Sequence, residues 1–282
     1  MKVLITGSSG QLGRALMRAK PQGCEATACD RTRLDLADRE KVLSRVREIR
    51  PDIILNAAAY TAVDKAENDV ASAYAINSRG VAYLVEAASE VGAKIVHVST
   101  DFVFGGDKCK PYLPDAARGP LGVYGQSKLE GEKELRASDL LVRTAWVYDA
   151  DGANFLNTML RLFNEREYVS VVSDQIGTPT FAKDLAAAIW QLVDANAAGA
   201  YHFTNSGVAS WYDFAVAIRE EATNCGLLDA NVAIAPILSQ DYPTPAKRPH
   251  YSVLNCFHTY ERLGSVARHW RAALRDALRE KI

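Results

Sequence analysis

Met1-Lys2-Val3-Leu4-Ile5-Thr6-Gly7-Ser8-Ser9-Gly10-Gln11-Leu12-Gly13 opens the chain, and Arg14-Ala15-Leu16-Met17 continues it with helical character. A short apolar strand thus runs straight into a glycine-rich turn and a helix. Gly7, Gly10 and Gly13 suit, in that order, a tight turn, close backbone approach to a diphosphate and close packing of helix on strand. The helix N-terminus would then offer unpaired N–H groups to the anion. Three glycines alone also fit an ordinary strand-to-helix turn. Their position after the first strand of an alternating chain favours the dinucleotide reading.

Outward from this loop, β-rich runs at 3–6, 26–29, 53–56, 95–99 and 140–143 alternate with segments of helical spacing, such as Val42, Val46 and Ile49, or Val81, Leu84, Val85 and Ala88. Continuous apolar strands separated by helices predict a parallel sheet buried on both faces. The expected fold is α/β, a Rossmann-type doubly wound parallel sheet with a smaller, discontinuous α/β substrate lobe. Two further strands are expected at 168–172 and 200–203, around a helix at 183–193. Past Asn205 the chain reads as irregular, with Pro236, Pro243, Pro245 and Pro249 before a terminal helix at 270–282. The domains expected are residues 1–143 plus about 169–203 for the dinucleotide, and about 144–168 plus 204–282 for the substrate.

Composition narrows the partners. Hydrophobic residues at 48% and charged residues at 24% exclude a disordered, collagen-like or coiled-coil chain. With 33 basic and 34 acidic residues the net charge is −1, which provides no bulk field to hold nucleic acid or a membrane surface. The five cysteines show no metal-like spacing and read as reduced cytosolic thiols, and no histidine has the spacing of a metal ligand. The N-terminus reaches glycine too soon for a signal peptide, and no apolar run approaches the ~18 residues of a membrane span. A cytoplasmic protein without a metal site is expected.

The candidate site gathers at the carboxyl ends of the strands, where such a sheet binds ligands. Asp30 lies close to where a ribose-binding acid belongs, favouring NAD, whereas Arg31 suits the 2′-phosphate of NADP; NADPH and NADH both stay open. Asp35 and Leu36 suit the adenine edge. Thr100, ending the fourth strand, can donate to a carbonyl oxygen. Tyr124 and Lys128 share a helix face four residues apart. Lysine's charge would lower a phenol from its usual ~10, and the tyrosine would protonate a ketone as hydride arrives. His97 and Trp211 read as core residues.

With Asn56-Ala57-Ala58-Ala59, Ser99-Thr100 and Tyr124-xxx-Lys128, the sequence resembles the extended short-chain dehydrogenase/reductases. Asn56 to Glu67, Ser99-Thr100-Asp101-Phe102-Val103-Phe104, Arg143-Thr144-Ala145-Trp146-Val147-Tyr148 and Asp174-Gln175-Ile176-Gly177-Thr178-Pro179-Thr180 narrow the match to the dTDP-4-dehydrorhamnose reductase family. The resemblance covers nearly the whole chain. It implies NAD(P)H-dependent reduction of the C4 ketone of a dTDP-linked 4-dehydro-6-deoxyhexose. Position by position it implies Tyr124 as proton donor, Lys128 as its activator and Thr100 as the carbonyl-stabilising hydroxyl. Asp101 and Trp146 would touch the sugar, and Asn154, Gln175 and Arg248 the nucleotide-sugar side. Gly10, Gln11, Leu12, Asp30, Asp35, Leu36, Ala58, Ala59 and Tyr60, with neighbouring Ala57, would lie along the cofactor.

Some members of the family carry an acid in the first helix that helps hold magnesium between two subunits. Arg14-Ala15 stands there in this chain, so the resemblance does not extend to a magnesium-linked dimer, and a homodimer of another kind stays open. Three other functions compete. A nucleotide-sugar epimerase would keep its nicotinamide and return the hydride, and another 4-ketoreductase would be retuned by the loop 106–119. A non-catalytic NADP-binding subunit, like the regulatory partner of methionine adenosyltransferase, would not need Thr100, Tyr124 and Lys128 intact. A dehydratase is disfavoured by Phe102, where a second acid would follow Asp101.

Overall fold

The computed structural model describes residues 1–229 and 232–282. Strand β1 (Lys2–Thr6) enters helix α1 (Gln11–Arg18), followed by β2 (Glu25–Cys29), α2 (Arg39–Ile49), β3 (Ile53–Asn56), β4 (Lys94–Thr100) and β5 (Leu140–Thr144). With Gly199–His202 these form a six-stranded sheet, parallel throughout, in the order Gly199–His202, β5, β4, β3, β1, β2. The chain travels one way from β1 to β2 and the other way from β3 onward. The reversal puts a crevice at the carboxyl ends of β1 and β3.

Alternation along β1 explains the layers. Val3 and Ile5 point into one core with Leu16, Ile189 and Trp190, beneath α1 and the helix Ala182–Asp194. Leu4 points into the opposite core with Val42, Ile54, Leu84 and Ile95, beneath α2 and the helix Gly80–Val91. Every residue of β5 is buried, as a strand covered on both faces must be.

The second lobe has its own core, in which the helices Phe155–Glu165, Trp211–Asn224 and Trp270–Arg279 pack Phe163, Phe214, Ile218 and Leu274 together. Here the expectation at 169 is corrected. Tyr168–Val172 does not join the sheet; it pairs in parallel with Ala233–Ile237, a strand in a stretch whose sequence reads as irregular chain. Tyr168 and Ser170 are exposed while Val169 and Val171 are buried, the pattern of a strand covered on one face only. The chain returns to the sheet layer at Ala182. The helix Trp211–Asn224, also unexpected, starts from a capping box in which Ser210 accepts from the Asp213 amide and Asp213 accepts in return.

Candidate active site

A cleft of about 760 Å³ lies over the carboxyl ends of the strands, between the sheet and the lobe. At one end the phosphate-type loop shapes it. Gly7 has a φ of +65°, and a Cβ there would meet the Ala58 amide nitrogen at 2.6 Å. A Cβ on Gly13 would stand 2.2 Å from the Gly7 carbonyl, so this glycine lets α1 seat on the loop without reaching the cleft. Gly10 is the N-cap of α1 and supplies no side-chain cap, which leaves the first amides of the helix aimed at an incoming anion.

Gly7, Gly10, Gln11, Leu12, Arg31, Asp35, Leu36, Ala57, Ala58, Ala59, Thr100, Asp101, Tyr124, Lys128, Trp146 and Arg248 all line the cleft. Others from the sequence reading stand apart from it. Asp30 accepts from the Thr32 amide (3.0 Å), the Thr32 hydroxyl (2.7 Å) and the Arg33 amide (3.1 Å), shaping the turn after β2. These bonds, the Thr32 hydroxyl foremost, hold its carboxyl below the usual range. Arg31 beside it is largely exposed, 3.7 Å from Asp35. Tyr60 turns its hydroxyl to Asp69 (3.1 Å) while Asn77 clamps its backbone. Asn154 caps the helix Phe155–Glu165 and donates to Gln11 Oε1 (2.7 Å), tying the lobe to α1. Gln175 donates to Ser239 (2.9 Å). Arg248 reaches the cleft with its fork already closed on Asp64, at 3.0 and 2.7 Å.

The floor is built from β4 and the helix Val123–Lys133. Thr100 Oγ1 lies 3.1 Å from Asp101 Oδ1 and accepts from the Phe102 amide at 3.1 Å. Tyr124 stands one helical turn before Lys128, edge-on to Phe102. Burial pushes the phenol up to about 12, helped by the Asp101 charge, while the Thr100 hydroxyl opposes the rise. This is the reverse of the lowering expected from Lys128, and it keeps the proton on the phenol. Burial likewise raises the Asp101 carboxyl to about 6 and lowers the Lys128 amine to about 8.

Among the described residues, Ser99 Oγ, Asp101 Oδ2 and Thr144 Oγ1 are buried without hydrogen-bond partners, and all three residues line the cleft. Polar atoms so placed suit a polar ligand at the floor. Trp211, read from sequence as core, lines the cleft and stacks on Trp146, with ring centroids 3.6 Å apart and planes within 8°. Trp146 itself holds a φ of +47°, a strained geometry for a bulky residue and one that gathers at functional sites. No spacing rule distinguishes a cleft tryptophan from a core one. His97, also read as core, is fully buried yet touches Lys128 Nζ at 3.2 Å. A histidine alone in an apolar strand gives no signal of that contact.

A doubly wound sheet with a glycine-rich first turn, a threonine ending its fourth strand and a Tyr-xxx-Lys helix face beneath a second, helical lobe has the build of an extended short-chain dehydrogenase/reductase. A family model described as RmlD substrate binding domain matches residues 1–282. The chain is 42% identical to dTDP-4-dehydrorhamnose reductase of Escherichia coli strain K12, over 99% of this chain and 98% of that protein. It is also 42% identical to the spore coat polysaccharide biosynthesis protein SpsK of Bacillus subtilis, over 99% and 98%. A crystal structure of dTDP-4-dehydrorhamnose reductase from Bacillus anthracis, in complex with NADP, superposes with a TM-score of 0.93 at 38% identity, covering 99% of both chains. The chain belongs to the dTDP-4-dehydrorhamnose reductase family.

Proposed function

We propose that this chain reduces the C4 ketone of dTDP-4-dehydro-β-L-rhamnose to the alcohol of dTDP-β-L-rhamnose, using NADPH or NADH. The observation that carries the reading is the convergence of Thr100, Tyr124 and Lys128 on one buried floor beside the glycine loop. The residues present fit a nicotinamide dinucleotide, with the α1 amides for its diphosphate, Leu36 and Asp35 for its adenosine and the exposed Arg31, loosely paired with Asp35, within reach of a 2′-phosphate. When bound, that cofactor supplies the hydride.

The chain's own residues supply orientation and the proton. Thr100 and Tyr124 bracket the position of the ketone oxygen, and Tyr124, protonated at rest, releases its proton to that oxygen as negative charge builds there. Lys128 lies behind Tyr124, where an amine lowered to about 8 can pass a proton back to the phenolate. The stacked pair Trp146 and Trp211 offers a flat apolar wall to the deoxyhexose. The five cysteines are free, which supports a reducing compartment, and we place the protein in the cytoplasm. Among the described residues no helix is long and apolar enough to cross a membrane.

Enzymatically made dTDP-4-dehydro-L-rhamnose with NADPH or NADH tests the function through the absorbance of the reduced cofactor. One equivalent of cofactor oxidised per sugar is expected with at least one of the two. No oxidation with either would overturn the proposal and favour the non-catalytic binding subunit.

A further inference from the structure

Behind the cleft floor a row of polar side chains crosses three adjacent strands. Thr6, Asn56 and His97 are register partners on β1, β3 and β4, and all are buried. The donor and acceptor roles along this row follow from one another. The Ala58 amide can only donate, so the Asn56 atom facing it at 3.2 Å is the carbonyl oxygen, which also takes the Thr6 hydroxyl at 2.6 Å. The Asn56 amide group therefore turns its N–H to His97 Nδ1 at 2.9 Å, and Nδ1 must accept. Burial, with the Lys128 charge adding, holds His97 well below its ordinary value and so neutral. A neutral imidazole that accepts at Nδ1 donates at Nε2, and Nε2 faces Lys128 Nζ at 3.2 Å.

We propose that His97 is a positioning residue of the reaction, presenting an N–H to Lys128 so that the amine meets it with a lone pair and turns its hydrogens to the Val98 carbonyl and the cleft. The contact to Val98 is 2.7 Å. This rests on the reading of Tyr124 and Lys128 given above. A protonated Nζ would set two donors against each other, at His97 or, after a change of tautomer, at Asn56, and an unmet buried donor is costly. The proton affinity of Lys128 falls as a result toward the working range, where one amine can both give and take a proton. Burial acts in the same direction and Glu132, one turn further along the helix, against it. The other titratable neighbours are Tyr124 on the same helix and Asp101 after β4, which act on each other across the floor.

The test is NMR of the full chain without substrate. With lysine labelled in its ε-carbons and the Lys128 signal assigned by its loss in Lys128→Met, His97→Leu should raise the Lys128 midpoint by at least about one pH unit. His97→Gln, whose amide can still accept from Asn56 and donate to Nζ, should leave it in place. At pH 9 the ¹⁵N signals of the wild-type His97 ring should show the proton on Nε2. In turnover, the alkaline limb of kcat/KM should move up in His97→Leu with the midpoint. An unmoved midpoint in His97→Leu, a raised one in His97→Gln, or a proton on Nδ1 at pH 9 would overturn the proposal. If His97→Leu does not fold, the glutamine variant and the wild-type ring signals decide. The NMR arms are independent of substrate, so absent turnover with the expected midpoints counts against the functional reading and leaves His97 supported.

Discussion

Tyr124 keeps its proton because it is buried next to an acid, and this suits the role proposed for it, a donor that begins each cycle protonated. Tyr124→Phe removes the only hydrogen the side chain can give and alters the packing against Phe102 little. We expect kcat to fall by at least ~100-fold with cofactor affinity nearly unchanged, because positioned proton donation is typically worth 10²–10⁴-fold. Steady-state kinetics together with a cofactor titration checks this. Near-normal turnover would mean that the proton comes from elsewhere. That Thr100, Tyr124 and Lys128 share one cleft is legible in the sequence, because a strand end and a four-residue helical spacing fix where such side chains point. The direction of the Tyr124 shift is not, since it depends on Asp101 and on burial rather than on Lys128 alone. Arg248 shows a related limit: a guanidinium can be read from sequence, but its closure on Asp64 cannot.

At the scale of elements, the strands around the cleft were readable because burial on both faces leaves nearly unbroken apolar runs, as in Leu140-Leu141-Val142. Ala233–Ile237 escaped notice because a proline sits inside it and its partner is a strand of the lobe. The seat of the helix Val123–Lys133 was equally hidden. Arg143 of β5 grips Glu132 through two bonds of 2.8 and 2.6 Å, with both side chains almost wholly buried. It also donates to the Pro114 carbonyl at 2.8 Å. Removing the charge of Glu132 leaves an uncompensated buried guanidinium. Glu132→Gln should therefore lower the unfolding free energy by about 3 kcal/mol, measured by urea denaturation. A loss below about 1 kcal/mol would show that Arg143 is satisfied without its partner.

Over the whole molecule, a net charge of −1 means that two diphosphate-bearing ligands must be met locally. In the proposed reading the cleft would do this with the uncapped α1 amides and the exposed Arg31. The lobe closing that cleft is tied to the sheet layer by Asn154 on Gln11, by Arg18 on Asp149 and by Arg14, which spans the Ser9 and Asp151 carbonyls. Such ties hold the lobe in register with the glycine loop and α1 on the far wall of the cleft. In the proposed reaction hydride passes from the cofactor to C4 of the sugar and stays there. Cofactor deuterated at the transferring carbon, supplied with dTDP-4-dehydro-L-rhamnose, tests it by mass spectrometry and NMR of the product. One deuterium at C4 is expected for each cofactor oxidised. A product sugar without deuterium, or deuterium remaining with the cofactor while the sugar is only epimerised, would contradict it.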